Sequence, residues 1–91
     1  MATAAKSVTI VNKRGLHARA SAKFVGTAAQ MDGAKITVSK DGISAGGTSI
    51  LGLMMLGAAI GDTIEIAVEG DEAQAQLDEL VALVEGKFGE D

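Results

Sequence analysis

No cysteine occurs in this chain of 91 residues, which excludes disulfides and thiolate metal sites. Tryptophan and tyrosine are also absent, which argues against the aromatic platforms on which single-stranded nucleic acid stacks. The two aromatic residues are Phe24 and Phe88. Ala, Val, Ile, Leu and Met must therefore fill the core, and with 47% of residues hydrophobic a core is within reach. No apolar run reaches the roughly 18 residues that a membrane helix needs, and "ILGLMMLGAAIG" is too short to span a bilayer. The opening "MATAAKS" lacks the apolar stretch of a secretory signal. A soluble cytoplasmic protein without membrane insertion is expected, folded as a single domain over residues 1–91 with its core between about residues 7 and 88.

Basic residues are few. The formal net charge of −4 disfavours general binding to nucleic acid or acidic membranes. The charges are unevenly spread, however. Lys13, Arg14, Arg19 and Lys23 surround the single histidine, His17, while acids concentrate after Glu65.

Hydrophobic period and turn residues give an order βαββαβα. "SVTIV" (7–11) reads as a strand with Val8 and Ile10 on one face. "ARASAKFVGTAAQM" (18–31) reads as a helix with an apolar face of Ala18, Ala22, Val25, Ala28 and Ala29, ended by Asp32-Gly33. "AKITVSK" (34–40) and "ISA" (43–45) form a hairpin about Asp41-Gly42. Thr48 or Ser49 caps a short helix over 50–56. "TIEIAVE" (63–69) is the clearest strand. Asp71, with Gln74 at the capping-box position, opens a last helix whose stripe is Ala73, Leu77, Leu80, Val81 and Val84. The hairpin and the one-sided alternation predict an α+β fold, an antiparallel sheet with one wet face and three helices on the other.

His17 falls at or beside the start of the first helix. Free backbone N–H groups and the positive end of the helix dipole make that place an anion site. Gly15 permits a backbone conformation closed to other residues or a close approach by a ligand. Ala18 supplies helix-start backbone, and Arg19 can offer a forked donor to phosphate oxygens. The same field disfavours imidazolium, leaving a neutral ring as nucleophile. Such a site could accept a phosphoryl group and hand it on. A capping or surface histidine is the other role that fits an isolated histidine there. With one histidine and no cysteine, only carboxylates remain as metal ligands and none is near in sequence, so no metal is expected. The histidine likewise has no nearby acid to orient it as in a hydrolase triad, and no phosphate-binding GxxxxGK[ST] loop occurs.

"NKRGLHARASAKF" (12–24) resembles the active-site signature of HPr, the family of histidine-containing phosphocarriers of the bacterial phosphoenolpyruvate-dependent phosphotransferase system. "TSILGLMMLG" (48–57) resembles that family's second signature, around a regulatory serine. The resemblance covers about residues 7–88 and implies an open-faced two-layer sandwich on a four-stranded antiparallel sheet. It implies that His17 accepts the phosphoryl group on Nδ1 and that Arg19 steadies it. Enzyme I is then the donor and a IIA-type protein or domain the acceptor. The protein would be a stoichiometric carrier without cofactor, a monomer rather than a turnover enzyme. Ser49 would be the target of an HPr kinase/phosphorylase, compatible with its reading as an N-cap, with Thr48 the competing hydroxyl. A docking face is implied at Ile50, Leu51 and Met54, joined by Ala22 and Lys23. Leu53 and Leu56 lie on another face of the same short helix. One departure concerns Ala20, where family members commonly have proline; this chain has no proline at all. Alanine restores a backbone donor in the first helical turn and bears on transfer rate and partner choice. Two other readings share these residues: a nitrogen-related regulatory paralogue of the same system, and a non-carrier interaction module built on the Ser49 region.

Overall fold

A computed structural model describes residues 2–90. The elements follow the expected order: β1 (Ala2–Thr9), α1 (Ala18–Ala28), β2 (Lys35–Lys40), β3 (Ile43–Gly46), α2 (Ile50–Met55), β4 (Thr63–Gly70) and α3 (Ala73–Glu85), followed by a 3-10 turn at Lys87–Gly89. The four strands form one sheet in the order β1-β4-β2-β3, every neighbouring pair antiparallel.

Alternation decides which side of the sheet is covered. Val8, Ile36, Val38, Ile64, Ile66 and Val68 point to one side and are buried. Against them pack Leu77, Leu80, Val81 and Val84 of α3, Ala20, Phe24 and Ala28 of α1, and Leu53 of α2. Each large aliphatic or aromatic side chain so placed contributes about 1.5–3 kcal/mol. The other side carries Ser7, Glu65 and Ser39 in one register row and Thr3, Glu69 and Lys35 in another, a polar face open to water. This is the expected open-faced α+β sandwich.

Four local expectations are corrected. β1 begins near Ala2 and ends at Thr9, earlier than the predicted strand at both ends, because residues 2–6 gain their partners from β4. α1 ends at Ala28 rather than Met31. Its buried face is Ala20, Ser21, Phe24 and Ala28, while Ala18, Ala22 and Ala29 are exposed. The phenyl group of Phe24 outweighs the alanines in deciding which stripe turns inward. Glu72 rather than Asp71 is the N-cap of α3, and it makes no side-chain cap bond. Gln74 donates instead to the Asp78 carboxylate, one helical turn on, at 2.9 Å.

Candidate phosphoryl-acceptor site

The loop between β1 and α1 is held from both sides. Ile10 donates to Asp62 O at 2.8 Å and Leu16 to Ala58 O at 3.0 Å, so backbone of the α2–β4 loop braces it. Gly15 lies at φ +62°, and a Cβ there would collide with the Ala58 carbonyl and come within 2.9 Å of Ala59 Cα. Glycine is therefore required twice over, for its backbone conformation and for the close approach. Ser21, fully buried, donates from Oγ to Leu16 O at 3.1 Å and ties the first turn of α1 back to the loop.

His17 is the N-cap of α1, with extended backbone at φ −73° and ψ −179°. Its Nδ1 accepts from the Arg19 backbone N–H at a long 3.3 Å. Ala18 is the first helical residue, and its N–H has no acceptor within the helix. The Nδ1 side of the ring thus looks toward the helix N-terminus. Lys13, Arg14, Arg19 and Glu90 share a shallow surface depression with the ring.

The ring's other nitrogen carries the largest surprise. Nε2 lies 2.5 Å from Oε2 of Glu90, a residue 73 positions away. No acid lies near His17 in the sequence, but the fold brings Glu90 to orient it. Because Nδ1 accepts from Arg19, the hydrogen-bond network assigns the ring proton to Nε2, which donates to Glu90. The pair is partly sheltered, with side-chain exposures of 23% for His17 and 18% for Glu90. Asn12, itself buried, donates from Nδ2 to Gly15 O at 2.9 Å and to Glu90 Oε1 at 3.2 Å. The hydrogen bond with His17 holds the Glu90 carboxyl below its ordinary range; desolvation opposes this, while the Asn12 amide and the charge of Arg14 assist. Neither Glu90 nor Asn12 was singled out from the sequence. Glu90 lies beyond the last predicted helix, and no periodic or local signal connects it to position 17.

The second signature folds as a cap. Ser49 is the N-cap of α2, and its Oγ accepts from Gly52 N–H at 3.0 Å. Its neighbour Thr48 is exposed and precedes the cap. In α2, Leu53 and the C-cap Leu56 are buried, whereas Ile50, Leu51 and Met54 are exposed, Leu51 to 67%. Met55 and Ile60 add exposed apolar surface nearby in the chain. On α1, Ala22 and Lys23 are exposed, and Lys23 Nζ donates to Phe88 O at 2.7 Å. Ala20 is fully buried in the first turn of α1. Among the described residues no group of three or more His, Asp or Glu side chains converges as a metal site would require, and no helix is long and apolar enough to cross a membrane.

The family model described as the PTS HPr component phosphorylation site matches residues 4–86. The phosphocarrier protein HPr of Neisseria meningitidis serogroup B is 49% identical over 86 residues, covering 93% of this chain and 94% of that protein. The phosphocarrier protein NPr of Shewanella violacea is 45% identical over 85 residues, covering 93% of this chain and 92% of that protein. Among solved structures, the fold is similar to HPr-C-His from Thermoanaerobacter tengcongensis, with a TM-score of 0.90 at 40% identity, over 97% of this chain and 98% of that one.

Proposed function

The chain belongs to the HPr family of phosphocarriers of the phosphotransferase system, and from that premise we propose that His17 carries the phosphoryl group, on Nδ1. One observation carries the assignment: the two ring nitrogens have different surroundings. Nε2 is engaged by Glu90, whereas Nδ1 faces the start of α1 through a long, weak contact. A phosphoryl group bonded to Nδ1 displaces that contact and turns its oxygens toward the N–H groups of Ala18 and Arg19, at the positive end of the helix. The Arg19 guanidinium, in the same depression, supplies a further donor. Gly15 keeps the loop close enough to the 58–59 backbone for this arrangement to hold.

Enzyme I is the proposed donor and a IIA-type protein the acceptor, the carrier acting stoichiometrically as a cytoplasmic monomer of one domain rather than as a turnover enzyme. Their docking face is Ile50, Leu51 and Met54 with Ala22 and Lys23, an exposed apolar patch flanked by a cation. Ser49 is the proposed regulatory site for an HPr kinase/phosphorylase. A phosphate there suits the start of α2 and places negative charge beside the patch. Both HPr and NPr relatives are named phosphocarrier proteins, and the HPr branch is favoured because most of the similar relatives bear that name.

The test is phosphoryl transfer from phosphoenolpyruvate through Enzyme I to the wild type and to His17→Ala, read by intact mass at neutral pH. Stoichiometric, acid-labile labelling that disappears in the variant is expected. An unlabelled wild type, with the same Enzyme I charging an established carrier, overturns the assignment.

A further inference from the structure

We infer that Asn12 and Glu90 form a positioning pair for the phosphoryl-acceptor ring, with the Glu90 carboxylate compensating the positive charge that the imidazole gains on phosphorylation. This inference rests on the reading of His17 as acceptor. It rests equally on a geometry that the acceptor reading does not require.

Charge bookkeeping shows why the position of Glu90 matters. When Nδ1 attacks phosphorus, its lone pair becomes the new N–P bond. The donor's bond to phosphorus breaks, and that electron pair stays with the donor. The proton on Nε2 does not move. The ring therefore changes from a neutral imidazole to a phosphorylated imidazolium, positive on the ring and negative on the phosphoryl oxygens. The two charges emerge at opposite ends of the side chain, and each end already faces the complementary charge. The helix start and Arg19 lie on the Nδ1 side, and Oε2 of Glu90 lies 2.5 Å from Nε2. Preorganised charge aimed at the place where charge develops lowers the barrier, because nothing has to reorganise at the moment of reaction.

Asn12 makes the carboxylate a fixed partner rather than a passing one. Glu90 lies outside every helix and strand, in a stretch where an acidic side chain would ordinarily swing into water. Its Oε1 is held by the buried amide of Asn12, and that amide also holds the Gly15 carbonyl. The Asn12 amide can face only one way. A flip would set its carbonyl oxygen against two other oxygens, so Nδ2 points to Gly15 and Glu90 even though Oδ1 is left buried without a protein partner among the described residues. One side chain thus fixes both the loop before His17 and the carboxylate beside it. From the other side, Lys23 pins the Phe88 carbonyl, and Glu90 N–H donates to Lys87 O at 2.9 Å. Among the described residues the groups bordering the ring are Lys13, Arg14, Arg19 and Glu90, and of these the anionic Glu90 is the one in contact with Nε2.

The experiment compares wild type, Glu90→Gln and Glu90→Ala. Glu90 belongs to no core element, so both variants should fold. Proton-nitrogen NMR of the unphosphorylated protein, with the ring labelled, reads the Nε2 hydrogen bond directly. A far-downfield, slowly exchanging Nε2 proton is expected in wild type, moved upfield in Glu90→Gln and lost in Glu90→Ala. Single-turnover charging by a phosphorylated donor then reads the chemical role. In Glu90→Gln the limiting rate should fall about tenfold, the size expected when a charge-assisted hydrogen bond loses its charge. The half-saturating donor concentration should stay within twofold, and labelling should still reach one phosphate per chain. Limiting rates within twofold of wild type in both variants overturn the proposal. So does a loss confined to the half-saturating concentration, which would make Glu90 a docking residue, or an Nε2 proton unchanged by Glu90→Ala. A wild type that takes no label at all fails the acceptor reading itself and this inference with it. Normal labelling with unaltered Glu90 variants fails this inference alone.

Discussion

Lys23 donates from Nζ to the Phe88 carbonyl across 2.7 Å, and this joins α1 to the segment that carries Glu90 beside His17. The segment needs such a tether because its backbone is unusual. Lys87 lies at φ +60° and Phe88 at φ +54°, left-handed conformations that side chains other than glycine adopt at a cost of about 1–2 kcal/mol. Burial of the Phe88 ring offsets that cost. The lysine bond then fixes the carbonyl that the left-handed turn exposes. Chain separated by 65 positions is thereby drawn together one residue pair away from Glu90.

Replacing Lys23 by methionine keeps the aliphatic stem and removes the donor. Global stability should fall by about 1 kcal/mol. The sharper effect is local. The Gly89 and Glu90 amides, bonded to Gly86 O and Lys87 O at 3.1 and 2.9 Å, should exchange with solvent several-fold faster while amides of the β4 centre stay protected. Because exchange is measured on the isolated protein, any role of Lys23 in docking does not enter. Unaltered exchange at both amides would show that the tether contributes nothing to holding the segment.

Gly15→Ala should be far more damaging than a change of one methyl suggests. The new Cβ meets the Ala58 carbonyl and the Ala59 backbone, neither of which can rotate away, at a φ of +62° that alanine resists. Strain at the backbone angle and displacement of the loop together should cost about 2–4 kcal/mol. Urea unfolding should show a lowered midpoint with an unchanged slope, and phosphoryl labelling of the folded fraction should be impaired. Gly26→Ala is the internal control. A Cβ there meets nothing within 4 Å in the middle of α1, so it should stabilise by about 0.5–1 kcal/mol.

Those two glycines differ in how far their roles are legible in the sequence. Gly15 stands out because it interrupts a basic loop just ahead of a helix start, and hydrophobic period shows that a strand precedes it and a helix follows it, though not where each begins and ends. β4 is equally plain, since Ile64, Ile66 and Val68 alternate without exception. The inward face of α1 was misread because a helix rich in alanine offers several apolar stripes, and only the volume of Phe24 separates them. The first half of β1 escapes a sequence reading because Ala2, Ala4, Ala5 and Lys6 carry little strand preference and become a strand by pairing with β4. Glu90 was invisible for a different reason. Its contact with His17 depends on the sheet, on α3 and on a left-handed turn all being in place, so it is a product of the whole fold and not of any local pattern.

That contact has a pH signature. In the folded protein the Glu90 carboxyl lies below the ordinary value of 4.5, chiefly through its hydrogen bond with His17. The sign follows from linkage. A carboxyl whose folded value is depressed contributes stability above its unfolded value, and that contribution disappears as pH falls through the folded one. The His17–Glu90 link should therefore be intact from neutrality down to the ordinary carboxylate range and open below it. A carbon NMR titration of the Glu90 side chain should give a midpoint below 4.5, and His17→Ala should move it upward. An identical midpoint in the variant would mean that the carboxyl's environment is set by something other than the ring.

Ser49 separates its two roles by substitution. Its Oγ caps α2 through Gly52 N–H, so Ser49→Ala should lose about 1 kcal/mol. Aspartate is as good an N-cap as serine, and its charge suits the positive end of a helix. Ser49→Asp should therefore keep wild-type stability within about 0.5 kcal/mol while placing an anion beside Ile50 and Leu51, both exposed. If this patch is the docking face, charging of Ser49→Asp by its donor should require a several-fold higher donor concentration at an unchanged limiting rate, and the effect should shrink with added salt. Ser49→Ala should charge as the wild type does despite its lower melting temperature. A stable Ser49→Asp variant that charges normally at low salt would place docking elsewhere on the surface, and Leu51→Ala, exposed and without a core role, would then be expected to have no effect on charging.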